Sequence, residues 1–576
     1  MHDAFEYGII RNMSRKEFIA ASAAFATIKP SFAAKLSEIR AVLLHMGIIP
    51  FVLVQPASSA GMASSTDMAS LEASFAKVRA VGDEVCAVTD VSLRLKADPK
   101  GRDPLEMWRA EAKESVSVTG AFVRVDFTLV PERGSDIKCR AVLPLPERWD
   151  GRLWGQGNSG RAGSLPDLDA YVAMDTAAVT TDLGTTAASP KYLDKSIPWK
   201  ECVLRDFHWR ATHLMTVYGK RIVAAFYGRP CRRAYFCGGS TGGRQGIGEA
   251  LRFPDDYDGM ISVLPANNAA VSEIAIWHLW RQTHDADGKA LFTKEDLKAV
   301  SDAAIEFRAK TDPKPYAGHV VADGRFTEKE IDGFLALAAA KRPSIAEGDR
   351  IARLKALYMP LVHDGRCYFN GFAPGTNSGV NFHWGSLISL PHFLAGRGIP
   401  QSRWNEVGFD QIDLFLKERS PEFNACSTDL SAFVKRGGKI IMTAGWEDQT
   451  IPPAPIIDYY ERVCEANGGI GEVSKFMRLF CVPGCAHGGG RGRVLTASPS
   501  GPQMKKLLLD WCEGGNAPEK VFVKWRDGSV NMPVAPYPGL YRLDEGGAWR
   551  LEMRPRGVPR IDAKCLETKL NVDEAK

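Results

Sequence analysis

The sequence predicts an α/β fold built on a mostly parallel sheet and interrupted by a large insertion. Three features predict it. Short apolar runs alternate with segments of helical periodicity. A stretch of different texture, residues 268–426, separates two such regions. One glycine-flanked serine sits where an apolar run gives way to a helix-compatible segment, a turn that can expose a nucleophile above a sheet.

The strands begin at Ala121. "AFVRVDFTLV", "DIKCRAVLPLP" and "GRLWGQG" read as successive strands, and "DAYVAMDTAA" as a further one. Between Val203 and Tyr227 apolar residues, among them Leu204, Phe207, Ala211 and Ile222, recur at helical spacing. "RAYF" is a short strand running into "CGGSTGG"; "GRQGIGEALRF" is helix-compatible and "DGMISVLPA" is the next strand. Residues 268–426 hold the helical patches "KEDLKAVSDAAIEFRAK" and "EKEIDGFLALAAAKR", then a loop-rich part with many Gly, Pro and aromatic residues. They read as an inserted lid domain. Alternation resumes with the strand "GGKIIMTAGWED", the helix "APIIDYYERVCEA", the strand "SKFMRLFCVPG" and the helix "SGPQMKKLLLDWCEGG". The expected organisation is a leader over 1–60, a core in two parts, 61–267 and 427–576, and a lid over 268–426.

Composition narrows the function classes. Over 576 residues the formal charge is only +5 and there is no long Lys/Arg run, which argues against a nucleic-acid binder. "MSRKEFIAASAAFA", from Met13, is similar to a twin-arginine export signal with Lys16 in the second arginine position. "AVLLHMGIIPFVLV" (41–54) follows Lys35 and Arg40 and leads into the small residues "ASSAGMASS". It suits a signal h-region and is too short to span a bilayer. The bland alternative is an amphipathic leader or a misassigned start. The expectation is a periplasmic or secreted chain, beginning near Ala60, without stable membrane insertion. Twelve scattered cysteines form no CxxC pair, and no Cys/His spacing suits zinc.

Gly238-Gly239-Ser240-Thr241-Gly242 fits G-x-S-x-G, with its strand before and its helix after. In that context Ser240 is the candidate nucleophile, and the Thr241 N–H at the helix start faces a developing oxyanion. A serine at its own pKa is a weak nucleophile, so a base and an orienting acid must follow it in the chain. His487, in "GCAHGGG" after a strand, is the one histidine beyond the insertion. "GWEDQTIPP" offers two acids after a strand: Asp448 is the better placed and Glu447 the alternative. "GQGNSG" (155–160) is formally a G-x-G-x-x-G with Asp175 further on, but Pro166 and a short spacer leave no room for the crossover helix of a dinucleotide site. That loop, through Ser159 and Gly160, reads better as the second oxyanion donor.

"YFCGGSTGGRQGIGEALRFPDDYDGMISVLPA" resembles the nucleophile region of the tannase and feruloyl esterase family, which includes mono(hydroxyethyl) terephthalate hydrolase. "WDGRLWGQGNSGRAGS", "GGKIIMTAGWEDQTIPP", "IIDYYERV", "FCVPGCAHGGG" and "LLLDWCEGGNAPEKV" resemble it too, in family order over roughly 120–520. The resemblance implies an α/β-hydrolase fold with a large lid, hydrolysing esters of small aromatic acids. It also implies Ser240, Asp448 and His487 as the triad and Thr241 as an oxyanion donor; no cofactor is expected.

Two departures stand out. The family usually joins a cysteine before the serine to one after the histidine, and here those positions are Gly239 and Gly488. Cys237 and Cys485, each two residues before its triad member, are the candidates for a relocated disulfide. The family's Asp-rich calcium run is missing from "AVSDAAIEFRAKTDPKP", so no calcium or other metal is expected. Phe382, Trp384 and Arg397 are the candidate substrate contacts in the lid. The resulting expectation is a serine esterase acting on gallate, hydroxycinnamate or terephthalate half-esters. A non-catalytic binding protein on the same fold, or an esterase for non-aromatic esters, is the alternative. Oligomeric state is not legible.

Overall fold

The computed structural model describes residues 68–95, 121–160, 162–185, 201–376, 389–487, 502–524 and 530–572. Leader residues 1–60 lie outside that set. Among the described residues nine strands form one sheet in the order β1-β2-β3-β5-β4-β6-β7-β10-β11. Their ranges are β1 Cys86–Leu95, β2 Ala121–Leu129, β3 Ile137–Pro144, β4 Arg152–Gln156, β5 Ala177–Thr181, β6 Arg233–Gly239, β7 Gly259–Val263, β10 Lys439–Gly445 and β11 Met477–Val482. The first strands pair antiparallel, β1 with β2, β2 with β3 and β3 with β5. From β5 through β4, β6, β7 and β10 to β11 every pairing is parallel.

Burial follows from that topology. Toward the antiparallel side, β2 alternates buried and half-buried positions, because part of one face looks outward. In the parallel part, β5 and β7 are buried at every position, since helices cover both faces. One expected strand is corrected. In "DAYVAMDTAA" the first residues form a helical turn, Asp169–Val172; Asp175 then reverses the chain at φ 55°, and the strand starts only at Ala177. That turn is the only helix among the described residues between β4 and β5.

Between β7 and β10 the chain forms the helices Ala269–Thr283, Lys294–Arg308, Glu328–Lys341, Arg350–Tyr358, Ser389–Ala395 and Phe409–Phe423, and the hairpin β8 Leu361–His363 with β9 Arg366–Phe369. This excursion leaves and returns at one point. Ala425 N–H donates to Asn267 O (2.9 Å), and Ala270 N–H donates to Asn424 Oδ1 (3.1 Å). The hydrophobic core runs without a break from the sheet into these helices, from Phe236 and Ile440 to Trp277 and Phe415.

A buried polar cluster ties the helix Ala211–Tyr227 to Thr241–Arg252 beneath the sheet edge. His213, Glu249 and Asp256 offer metal-ligand types within 4.8 Å of one another. His213 Nδ1 bonds Asp256 Oδ2 at 2.7 Å. Burial, then the charge and hydrogen bond of Asp256, push the Glu249 carboxyl well above the usual carboxylate range. A carboxyl raised on folding lends stability that is full at low pH and is lost as pH climbs through the folded pKa. Glu249→Gln should therefore flatten the pH dependence of stability. Wild type should lose up to about 1.4 kcal/mol per pH unit above the ordinary carboxylate range on this account. Equal slopes in denaturant titrations of the two proteins between pH 5 and 8 would count against the raised carboxyl pKa.

Candidate active site

Strand β6 ends at Gly239, and Ser240 follows with φ 58° and ψ −117° before the helix Thr241–Arg252 begins. A non-glycine residue in that region is strained and persists only when neighbours hold it. Here Ser240 N–H donates to Val263 O (2.9 Å), and Ser240 O accepts from Ala266 N–H (3.0 Å). The flanking glycines are a space requirement. A Cβ on Gly238 would sit 2.6 Å from the Gly242 carbonyl, and one on Gly242 would sit 2.7 Å from Asn158 O.

Asp448 follows β10 and His487 follows β11, so three carboxyl ends of parallel strands bring the side chains together. His487 Nε2 lies 3.0 Å from Ser240 Oγ, and His487 Nδ1 lies 2.8 Å from Asp448 Oδ2. Asp448 Oδ1 accepts from Thr450 N–H and Ile451 N–H, both at 2.8 Å, which points Oδ2 at the imidazole. Of the two acids open in the sequence, Asp448 carries the bond to His487. Glu447 is buried beside it, its N–H on Cys485 O. A carboxylate on Nδ1–H leaves Nε2 as the acceptor for the serine hydroxyl.

Of the expected oxyanion donors, Thr241 and Gly160 line one cavity with Ser240. Thr241 is the first residue of its helix, and its Oγ1 donates to Gly160 O (2.6 Å), drawing the loop 157–160 against the nucleophile turn. Gly157 N–H is committed to Cys237 O and Asn158 N–H to Gln245 Oε1. The N–H groups of Thr241, Ser159 and Gly160 make no hydrogen bond among the described residues.

A cavity opens over Ser240, Thr241 and Gly160. Its apolar walls are Phe207, Ile276, Phe423 and Ile451, and Arg244 and Glu273 also line it. Arg244 donates to His208 O and Phe207 O and lies over the Phe207 and Phe423 rings. Burial, with Arg252 nearby, lowers its pKa to about 9. Burial and Arg244 hold His208 well below its ordinary pKa, keeping it a neutral ring against Phe423. Glu273 accepts from Ser389 N–H (2.9 Å) and Leu390 N–H.

Two expectations are corrected. Cys237 and Cys485 do not form a disulfide; both are buried thiols. Cys237 pairs with Ile261 of β7, which pairs in turn with Ile441 of β10, and Cys485 packs against Gly445 at the end of β10. Two strand spacings, about 10 Å, therefore intervene, more than a disulfide spans. Arg397 does not line the cavity: its guanidinium pairs with Glu418 (2.9 Å) and stacks on Phe393. Phe382 and Trp384 lie outside the described residues. The sequence reading missed the cavity walls. Ile451 could have been found from its place in the Asp448 loop, whereas Ile276 and Phe423 carry no local signal.

The family model described as "Tannase and feruloyl esterase" matches residues 123–325 and 405–546. Feruloyl esterase B of Aspergillus niger is 29% identical over 429 residues, covering 71% of this chain and 80% of that protein. A probable feruloyl esterase B-2 of Aspergillus flavus is 29% identical over 430 residues, covering 68% and 78%. The crystal structure of feruloyl esterase B from Aspergillus oryzae superposes with a TM-score of 0.68 at 22% identity, covering 84% of this chain and 99% of that one. Tannin acyl hydrolase from Aspergillus niger gives 0.60 at 18% identity, covering 85% and 95%. The shared fold is the expected α/β-hydrolase fold.

The strained serine makes a stability prediction. Ser240→Gly should be more stable than Ser240→Ala by about 1 kcal/mol, because glycine alone relaxes at positive φ. Equal melting temperatures for the two variants would show that the turn holds no strain.

Proposed function

The chain belongs to the tannase and feruloyl esterase family and is a carboxylic ester hydrolase, and from that premise we propose that it cleaves esters of small aromatic acids through Ser240, His487 and Asp448. The observation that carries the reading is the relay of hydrogen bonds from Ser240 Oγ through the His487 ring to Asp448.

In the proposed mechanism Ser240 Oγ attacks the ester carbonyl carbon as His487 Nε2 takes its proton. The carbonyl oxygen becomes an oxyanion beside the N–H groups of Thr241 and of Ser159 and Gly160, where fixed dipoles away from bulk water are most effective. Asp448 stabilises the imidazolium without taking its proton. Collapse of the intermediate breaks the bond to the alcohol oxygen, which takes its proton from His487 Nε2, and leaves an acyl-serine. Water, deprotonated by the same imidazole, then releases the acid and restores Ser240. Asp448 is already held by two backbone N–H groups, so its carboxylate needs little reorganisation as charge develops on the ring.

An aromatic acyl group suits the walls Phe207, Phe423, Ile276 and Ile451, and the relatives named feruloyl esterase point the same way. The segment 268–426 is proposed as a lid: it starts and ends at one hydrogen-bonded junction and supplies Ala269, Ile276 and Phe423 to the cavity. Export to the periplasm or the medium is proposed from the basic and apolar stretches before residue 60.

Ser240→Ala should lower kcat on an aromatic ester such as methyl ferulate by at least about 10⁴-fold, and Asp448→Asn by about 10⁴-fold, with the fold intact. Undiminished turnover in Ser240→Ala would leave only the binding-protein reading. A panel of benzoyl, cinnamoyl and aliphatic methyl esters checks the acyl preference, which fails if the aliphatic esters are cleaved best.

A further inference from the structure

We infer that Gln245 is a positioning residue for the proposed reaction: its side-chain amide holds the loop 157–160 where the N–H groups of that loop meet the oxyanion. The inference rests on the esterase reading and adds to it a residue that never touches substrate.

Gln245 stands on the Thr241–Arg252 helix, little more than one turn beyond the nucleophile. Its Oε1 accepts from Asn158 N–H (2.9 Å), and its Nε2 donates to Thr212 Oγ1 (2.8 Å) and, more weakly, to Asn158 Oδ1 (3.4 Å). A backbone N–H can only donate, so it fixes which end of the amide faces the loop. Asn158 is held from other sides as well. Its O accepts from Gly242 N–H (2.8 Å), and its Nδ2 donates to Thr181 O at the end of β5 (2.6 Å). At the far end of the loop Thr241 Oγ1 holds Gly160 O. Ser159 and Gly160 are thus suspended between two anchors, both on the helix that carries Ser240.

The device sets the distance between nucleophile and oxyanion donors by tying both to one rigid element. Asn158 and Gln245 are each only 3% exposed, so water cannot replace a lost partner. Removing the amide leaves a buried N–H unsatisfied, and the loop must move to find another acceptor. A shift of about 1 Å in a donor can cost up to about 10²-fold in rate.

Gln245→Met keeps length and removes all three hydrogen bonds of the amide. Its kcat on the best ester of the panel should fall by roughly 10- to 100-fold, short of or equal to the loss of one oxyanion donor, with KM within about twofold. A boronic acid forming a tetrahedral adduct with Ser240 should weaken in parallel, while inhibition by the free aromatic acid stays unchanged. A merely structural role would weaken both inhibitors together, and that result overturns the inference. Wild-type kcat in Gln245→Met overturns it too. Should Gln245→Met fail to fold, Thr212→Val, which removes only the far anchor of the amide, must show a smaller kcat loss of the same kind. Wild-type kcat in Thr212→Val would then overturn the inference. If wild type and Ser240→Ala cleave esters equally, it is the esterase reading that has failed. If Ser240→Ala is inactive and Gln245→Met is not, the clamp alone has failed.

Discussion

At Ser240 the chain turns from strand to helix through a backbone conformation that side chains avoid, and two backbone hydrogen bonds, to Val263 and from Ala266, keep it there. Everything at the site is placed relative to that turn. The hydroxyl stands at the sheet edge because β6 ends there. The Thr241 N–H lies beside it because the helix starts at the next residue. The loop 157–160 can come close because Gly242 presents no Cβ to Asn158 O. Strain at the serine is offset by neighbours that are themselves tied into β7 and the segment after it.

Parallel order in the sheet does the rest. Strands β6, β7, β10 and β11 run the same way, so their carboxyl ends meet on one edge although the residues after them are distant in sequence. Asp448 and His487 reach Ser240 along that edge, and Asp448 is oriented by N–H groups of its own loop before it meets the ring. No disulfide is needed for this. Cys485 O accepts from Glu447 N–H and packs against Gly445, so the histidine loop is joined to the acid loop by backbone contacts. A Cβ on Gly239 would lie at an ordinary 3.6 Å from Val263, so its glycine is not demanded by crowding there.

Buried charge is handled in two ways around this centre. Among the described residues, carbonyl oxygens and aromatic faces hold Arg244, at the cost of a lowered pKa. Glu249 lies buried beside Asp256, and burial raises its carboxyl above the usual carboxylate range. Both arrangements stiffen the helix Thr241–Arg252, the first against the wall that supplies Phe207, the second against the helix Ala211–Tyr227.

The strand runs, the helices that follow them and the residue types at 240, 448 and 487 were legible in the sequence, because period-two and helical patterns and the glycine turn are local properties of neighbouring residues. "DAYVAMDTAA" misled because a helical turn and a strand meet within it at a left-handed Asp175. The separation of Cys237 from Cys485, the turning of Arg397 to Glu418 and the cavity walls were not legible. Each depends on which strand lies between two others, or on where a loop points its side chains. Those are distances across the fold, set by strand order and packing, and adjacent letters do not carry them.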